Sequence, residues 1–114
     1  MDQALFALPI LAGKTEAARA FLQELGGPRI QDLAACSGTV GVAKEMWAIQ
    51  QTPQGDLFVV YMAGANLARA FAQFAASQDE FDRWQEQQVR ETTGADLNTP
   101  PSGPISEILA DCET

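Results

Sequence analysis

Residues 46–64 read MWAIQQT (46–52), PQGD (53–56) and LFVVYMAG (57–64). Two runs rich in aromatic and β-branched residues flank a Pro/Gly turn, which is the pattern of an antiparallel β-hairpin. A turn centred on Pro53 to Gly55 sets Trp47 opposite Tyr61, Ile49 opposite Val59 and Gln51 opposite Leu57 on one face. Met46, Ala48, Gln50, Phe58, Val60 and Met62 then fall on the other, because side chains alternate along a strand. Both faces are apolar, whereas an antiparallel sheet with one wet face alternates apolar with polar residues. Each side of this sheet therefore needs a cover.

Upstream of the hairpin, Ala4 to Leu11 is again apolar on both faces and reads as a first strand, with Pro9 placing it at an edge or a bulge. Gly13 and Lys14 form the exit turn. Thr15 suits an N-cap, Glu16 the positive end of a helix, and Ala17, Ala18, Phe21, Leu22 and Leu25 make a helical stripe. Gly26 and Gly27 interrupt it, and Pro28 suits the first position of a second segment carrying Ile30, Leu33, Ala34 and Cys36 up to the Ser37, Gly38 and Gly41 region. Downstream, Asn66 caps a helix bearing Leu67, Ala70, Phe71, Phe74 and Ala75. Ser77 to Glu80 has capping-box spacing and starts a further segment with Phe81, Trp84 and Val89 on its buried side and Asp79, Glu80, Asp82 and Glu86 in water, until Gly94 stops it. Residues 98–104 hold three prolines and a glycine and form a connector. Ile105 to Cys112 reads as a fourth strand whose Glu107 and Asp111 mark an edge with one wet face.

The chain has 114 residues, 46% of them apolar, which fits one domain spanning 1–114 with a single core. Its net charge of −8, with seven scattered Lys and Arg, excludes a phosphate-backbone partner and an anionic membrane surface. The apolar first eleven residues lack a basic leader and are too short to span a bilayer, so the expected location is the cytoplasm. Cys36 and Cys112 have no C-x-x-C spacing and read as small, buried, reduced thiols. There is no histidine, which removes triad, Cys-His and His-metal chemistry together. No Walker loop or G-x-G-x-x-G follows a strand, and neither a metal nor a cofactor is expected.

The order strand, helix, strand, strand, helix, strand is the split βαβ arrangement of an α+β, ferredoxin-like βαββαβ fold, with a four-stranded antiparallel sheet and broken helices on one face. With the double-sided hydrophobicity of its strands, the chain resembles the dimeric α+β barrel superfamily, which includes antibiotic-biosynthesis-monooxygenase-like, muconolactone-isomerase-like and haem-degrading branches. The last branch holds iron with histidine, so the resemblance does not extend to that activity here. A homodimer follows on physical grounds as well. Two helical crossovers cover one sheet face, and the leftover face exposes side chains such as Phe6, Leu8, Phe58, Val60 and Met62. A second copy hides that face in an interface of more than about 1,200 Å². The pattern does not choose which of the two faces meets the partner.

A ligand site in this fold would lie between sheet and helices. Trp47 and Tyr61, paired across the hairpin, offer flat walls with an N–H and an O–H, Gln50 and Gln51 bring amides, and Asn66 follows the third strand. Arg69 and Arg83 sit among aromatics and can hold a carboxylate, although Asp79 and Glu80 stand at the spacing that would pair Arg83. Three expectations follow: a dimer binding a small apolar or aromatic ligand, a cofactor-independent monooxygenase or isomerase acting on a small aromatic or polyketide-like compound, or a structural interaction module. A cavity above about 300 Å³ beside Trp47 and Tyr61 favours the first two, and a filled core the third.

Overall fold

The computed structural model describes residues 1–97 and 106–113. The elements are β1 (Asp2–Pro9), α1 (Thr15–Gly26), α2 (Ile30–Val40), β2 (Val42–Thr52), β3 (Gly55–Gly64), α3 (Leu67–Ala76) and α4 (Glu80–Thr93). β1 and β2 both run antiparallel to β3, which lies between them. The described residues thus form an α+β structure with four helices and a three-stranded antiparallel sheet.

The expected fourth strand is absent over residues 106–112, while Ile105 and the connector 98–104 lie outside the described residues. The Ser106 N–H donates to the Leu5 carbonyl at 2.8 Å and Gln3 Nε2 donates to Asp111 Oδ2 at 2.9 Å, so the segment lies beside β1. All of residues 106–113 are exposed, so although Glu107 and Asp111 share one face, the apolar side chains on the other are not buried and nothing fixes the segment in a ladder.

The hairpin register differs from the sequence expectation by one residue. Thr52 pairs with Gly55, so the loop is Pro53–Gln54 and Trp47 faces Val60, Ile49 faces Phe58 and Met46 faces Tyr61. The Thr52 hydroxyl accepts from the Gln54 N–H at 3.2 Å and donates to the Gly55 carbonyl at 2.5 Å, closing the shorter loop. Gly55 adopts φ +133°, which only glycine takes without strain. Because side chains alternate with period two, this slip carries Trp47 and Tyr61 to opposite faces.

Helices cover one of those faces. Phe58 and Val60 at its centre are 0% exposed, joined by Ile10, Phe21, Leu25, Leu33, Phe81 and Val89, with Phe6, Leu8, Trp47, Ile49 and Met62 packed against them. The side chains expected on the leftover face are therefore core. Phe21 makes edge contacts with Trp47 at 5.9 Å, Phe58 at 6.1 Å and Trp84 at 5.4 Å between ring centroids. Ala18, Phe21 and Leu25 repeat at helical spacing on α1, and Phe81, Gln85, Val89 and Thr92 do so on α4. Asp82 and Glu86 share that inner side of α4 rather than facing water, Asp82 accepting from Ser77 Oγ and Glu86 pairing with Arg90.

Gly26 and Gly27 do break the first crossover, but the caps differ in detail. Lys14 precedes α1, freeing the Thr15 hydroxyl to donate to Asp56 Oδ2 at 2.6 Å, and Arg29, one residue past Pro28, precedes α2. Arg29 then ties this junction to α4 through Glu80 at 2.7 Å and by stacking its guanidinium 4.5 Å from the Trp84 ring centroid. Asp79, not Ser77, caps α4 by accepting from the Phe81 N–H, while Asn66 caps α3 and Gly94 ends α4 in the left-handed region as expected.

Gly64 is where the end of α2, the bulged start of β2 and α3 converge. A Cβ there would stand 2.5 Å from the Gly41 carbonyl oxygen and 3.1 Å from Leu67 Cδ2. Backbone on one side prevents relaxation, so Gly64→Ala is expected to destabilise the chain by about 1–3 kcal/mol in urea unfolding. A stability equal to that of the native chain would refute this close approach.

Candidate functional site

The structure separates the side chains that the sequence grouped. Trp47 lies in the packed layer between sheet and helices, its ring edge-on to Phe58 at 5.6 Å, and its Nε1–H donates to Glu45 Oε1 at 3.0 Å. Tyr61 is on the other face, where its hydroxyl donates to Gln3 Oε1 at 3.0 Å. Gln50 and Gln51 are exposed near the hairpin end. The Asn66 side chain is occupied as an N-cap, accepting from the Arg69 N–H at 3.0 Å. Arg83 turns to α3, donating from Nη2 to the Phe74 carbonyl at 2.7 Å and lying 5.4 Å from the Phe74 ring centroid. Trp47, Tyr61, Gln50, Asn66 and Arg83 do not line a common space.

A different constellation exists at the start of β2. Glu45 shares the helix-side parity of Trp47 and Ile49, an acidic residue where the alternation demands an apolar one. That parity was the signal the sequence reading passed over. Ser37 Oγ on α2 donates to Glu45 Oε2 at 3.0 Å while Trp47 holds Oε1, so the carboxylate is fixed from two elements. It lines a groove of ≈ 470 Å³ between α2 and β2, walled by Ile30, Leu33 and Val42. Burial raises the Glu45 pKa above the ordinary carboxylate range, and the Trp47 and Ser37 hydrogen bonds partly offset that rise.

A raised folded-state pKa means that the stability contribution of Glu45 is complete below its unfolded value of about 4.3 and is lost as pH rises through the folded value. Cys36 on α2 and Lys44 on β2 are the neighbouring titratable groups. Glu45→Gln stays neutral throughout, so its melting temperature relative to wild type should improve from acid to neutral pH. A difference that is flat with pH would show that Glu45 ionises in the folded chain as it does in water.

On the far side of α2, a second groove of ≈ 560 Å³ is lined by Cys36, Thr39, Gln73, Ser77, Phe81 and Asp82, among others. Burial, and then the neighbouring Asp82 carboxylate, push the Cys36 thiol up, so it stays protonated and is a poor nucleophile. Cys36 is partly buried, while Cys112, expected to be buried, is exposed. Among the described residues no three or more Cys, Asp or Glu converge closely enough to hold a metal ion. Neither groove is lined by Trp47 or Tyr61.

The remaining feature is the open side of the sheet. Leu5 and Ala7 of β1, Met46, Ala48 and Gln50 of β2, and Leu57, Val59 and Tyr61 of β3 share it by register, with Gln3 and Lys44 at one end beside Ala63, and Met46 is 51% exposed. None of these side chains is acidic. Asp111 is held at its margin by Gln3, which also receives the Tyr61 hydroxyl.

Fold and surface together define an α+β protein whose helices sheathe one sheet face and leave an apolar face open. No protein-family model matches the chain, and no curated protein or solved structure matches it significantly. Among the described residues no helix is long and apolar enough to cross a membrane.

Proposed function

We propose that this chain is a self-assembling module: a homodimer in which the open faces of two copies pack sheet on sheet, as in a dimeric α+β barrel. The observation that carries this reading is the largely apolar character of that face, whose strand residues include no carboxylate, on a chain of net charge −8. Two such acidic molecules repel over most of their surface, and the open face is where a second copy approaches without burying like charges. Three strands of this length present on the order of 400 Å² in projection, the size of the largest apolar patch on a typical monomer, which is often a functional surface. Two faces packed about 10 Å apart bury it on both copies.

The packed surroundings of Trp47 favour this reading over a ligand or oxygenase site at Trp47 and Tyr61, since those two rings share no cavity. The position of residues 106–113 beside β1 supports a ferredoxin-like sheet order in the assembled form. An exposed free thiol at Cys112 suits the reducing cytoplasm. Sedimentation or light scattering at micromolar concentration should give twice the 12.2 kDa chain mass. A chain that stays monomeric there would end the proposal.

A further inference from the structure

The Glu45 groove lies on the helix side of the sheet, away from the face assigned to the second copy, and it can be occupied in monomer or dimer alike. We propose that it is a binding site for a small organic ammonium ion, with the Glu45 carboxylate receiving the charged group and Ile30, Leu33 and Val42 enclosing its apolar body.

Three observations combine in this assignment. The groove holds ≈ 470 Å³, within the range that small-molecule sites occupy. Its acid is held from two sides before any ligand arrives, by Trp47 Nε1 at 3.0 Å and Ser37 Oγ at 3.0 Å. A carboxylate has about four acceptor positions, so these two donors leave others for an incoming N–H. The third observation is charge. Every Arg–carboxylate ion pair among the described residues engages another acid, and none reaches Glu45. Lys44 stands at the rim with an exposed side chain, one residue along the strand.

The Glu45 carboxylate rests against apolar walls with Lys44 at the rim but makes no ion pair, and an arriving ammonium ion compensates its charge. An anionic ligand would meet that carboxylate directly and be repelled. A neutral alcohol could fill the same volume and donate one hydrogen bond, but without the charge-assisted gain. The apolar body is recognised by the walls: Ile30 is a large apolar side chain left 43% exposed at this edge, and Leu33 and Val42 are buried beneath.

The test uses the full-length chain, benzylammonium as the probe and benzyl alcohol as its uncharged counterpart. Titrations are followed by amide spectra together with the indole N–H signal of Trp47. Benzylammonium should produce saturable shifts at Ser37, Glu45 and the Trp47 indole in the millimolar range or below, with benzyl alcohol at least about tenfold weaker. Glu45→Gln should weaken benzylammonium by a similar factor and leave the alcohol unchanged. Absence of saturable shifts at these residues, equal affinity for the two probes, or equal affinity of wild type and Glu45→Gln each overturns the proposal. Should Glu45→Gln fail to fold, the comparison of the two probes on the wild-type chain decides alone.

Discussion

Val59→Glu is expected to turn the proposed dimer into a folded monomer. Val59 sits on the central strand with Ala7 on one side and Ala48 on the other, so it occupies the middle of the open face. In a lone chain the new carboxylate points into water, and the loss of β-branching costs under about 1 kcal/mol. In the sheet-on-sheet dimer two such carboxylates are stripped of water near each other, at several kcal/mol per ion. The dissociation constant should rise more than about 100-fold, roughly 3 kcal/mol, with the far-ultraviolet circular dichroism spectrum unchanged. Sedimentation of both proteins over a concentration series reads this directly. A variant that remains dimeric at wild-type affinity would place the interface elsewhere.

Phe58→Ala should be the most damaging core substitution. Its neighbour on the chain, Val59, is on the open face, but Phe58 itself faces inward with no exposure, between the rings of Phe21 and Trp47. Those rings meet its edge and face from different elements and cannot both close on the space left behind. A loss of about 3–5 kcal/mol is expected in urea unfolding, against a typical total of about 5–15 kcal/mol for a domain. The matching control is Met46→Ala in the monomeric Val59→Glu background, expected to cost under about 1 kcal/mol because that side chain is on the open face. Had the hairpin closed with the longer loop, Met46 would share the face of Phe58 and the control would be costly. The pair of measurements thus reads the register in solution.

How far the sequence carries is visible at particular residues. The hairpin, the break at Gly26 and Gly27, the Asn66 cap and the Gly94 stop were all legible, because each depends on the conformational preference of a few adjacent residues. Capping at Thr15 and Ser77 was not, since each hydroxyl instead reaches another carboxylate, Asp56 and Asp82 respectively, one of them distant in the chain. The sequence also placed Asp82 and Glu86 in water, whereas packing of α4 through Phe81 and Val89 turns them inward. The candidate-site residues Trp47, Tyr61, Gln50, Asn66 and Arg83 were grouped by the sequence, whereas the fold gives Trp47, Tyr61, Asn66 and Arg83 separate partners. A one-residue difference in the loop sent Tyr61 to the face opposite Trp47, while Glu45 keeps the parity of Trp47 in either register.

The amino-acid order alone determined that this chain makes an α+β structure with a double-sided apolar hairpin and two broken helical crossovers on one side of it. Periodicity and end signals are local, and they survive whatever the rest of the chain does. Which apolar face is sealed and which is left open was decided only by tertiary structure. Both faces of β3 carry large apolar side chains, so their burial energies nearly balance in the sequence. The choice comes from where the helices dock and from the Thr52–Gly55 closure, which together set the side on which every residue of β2 points.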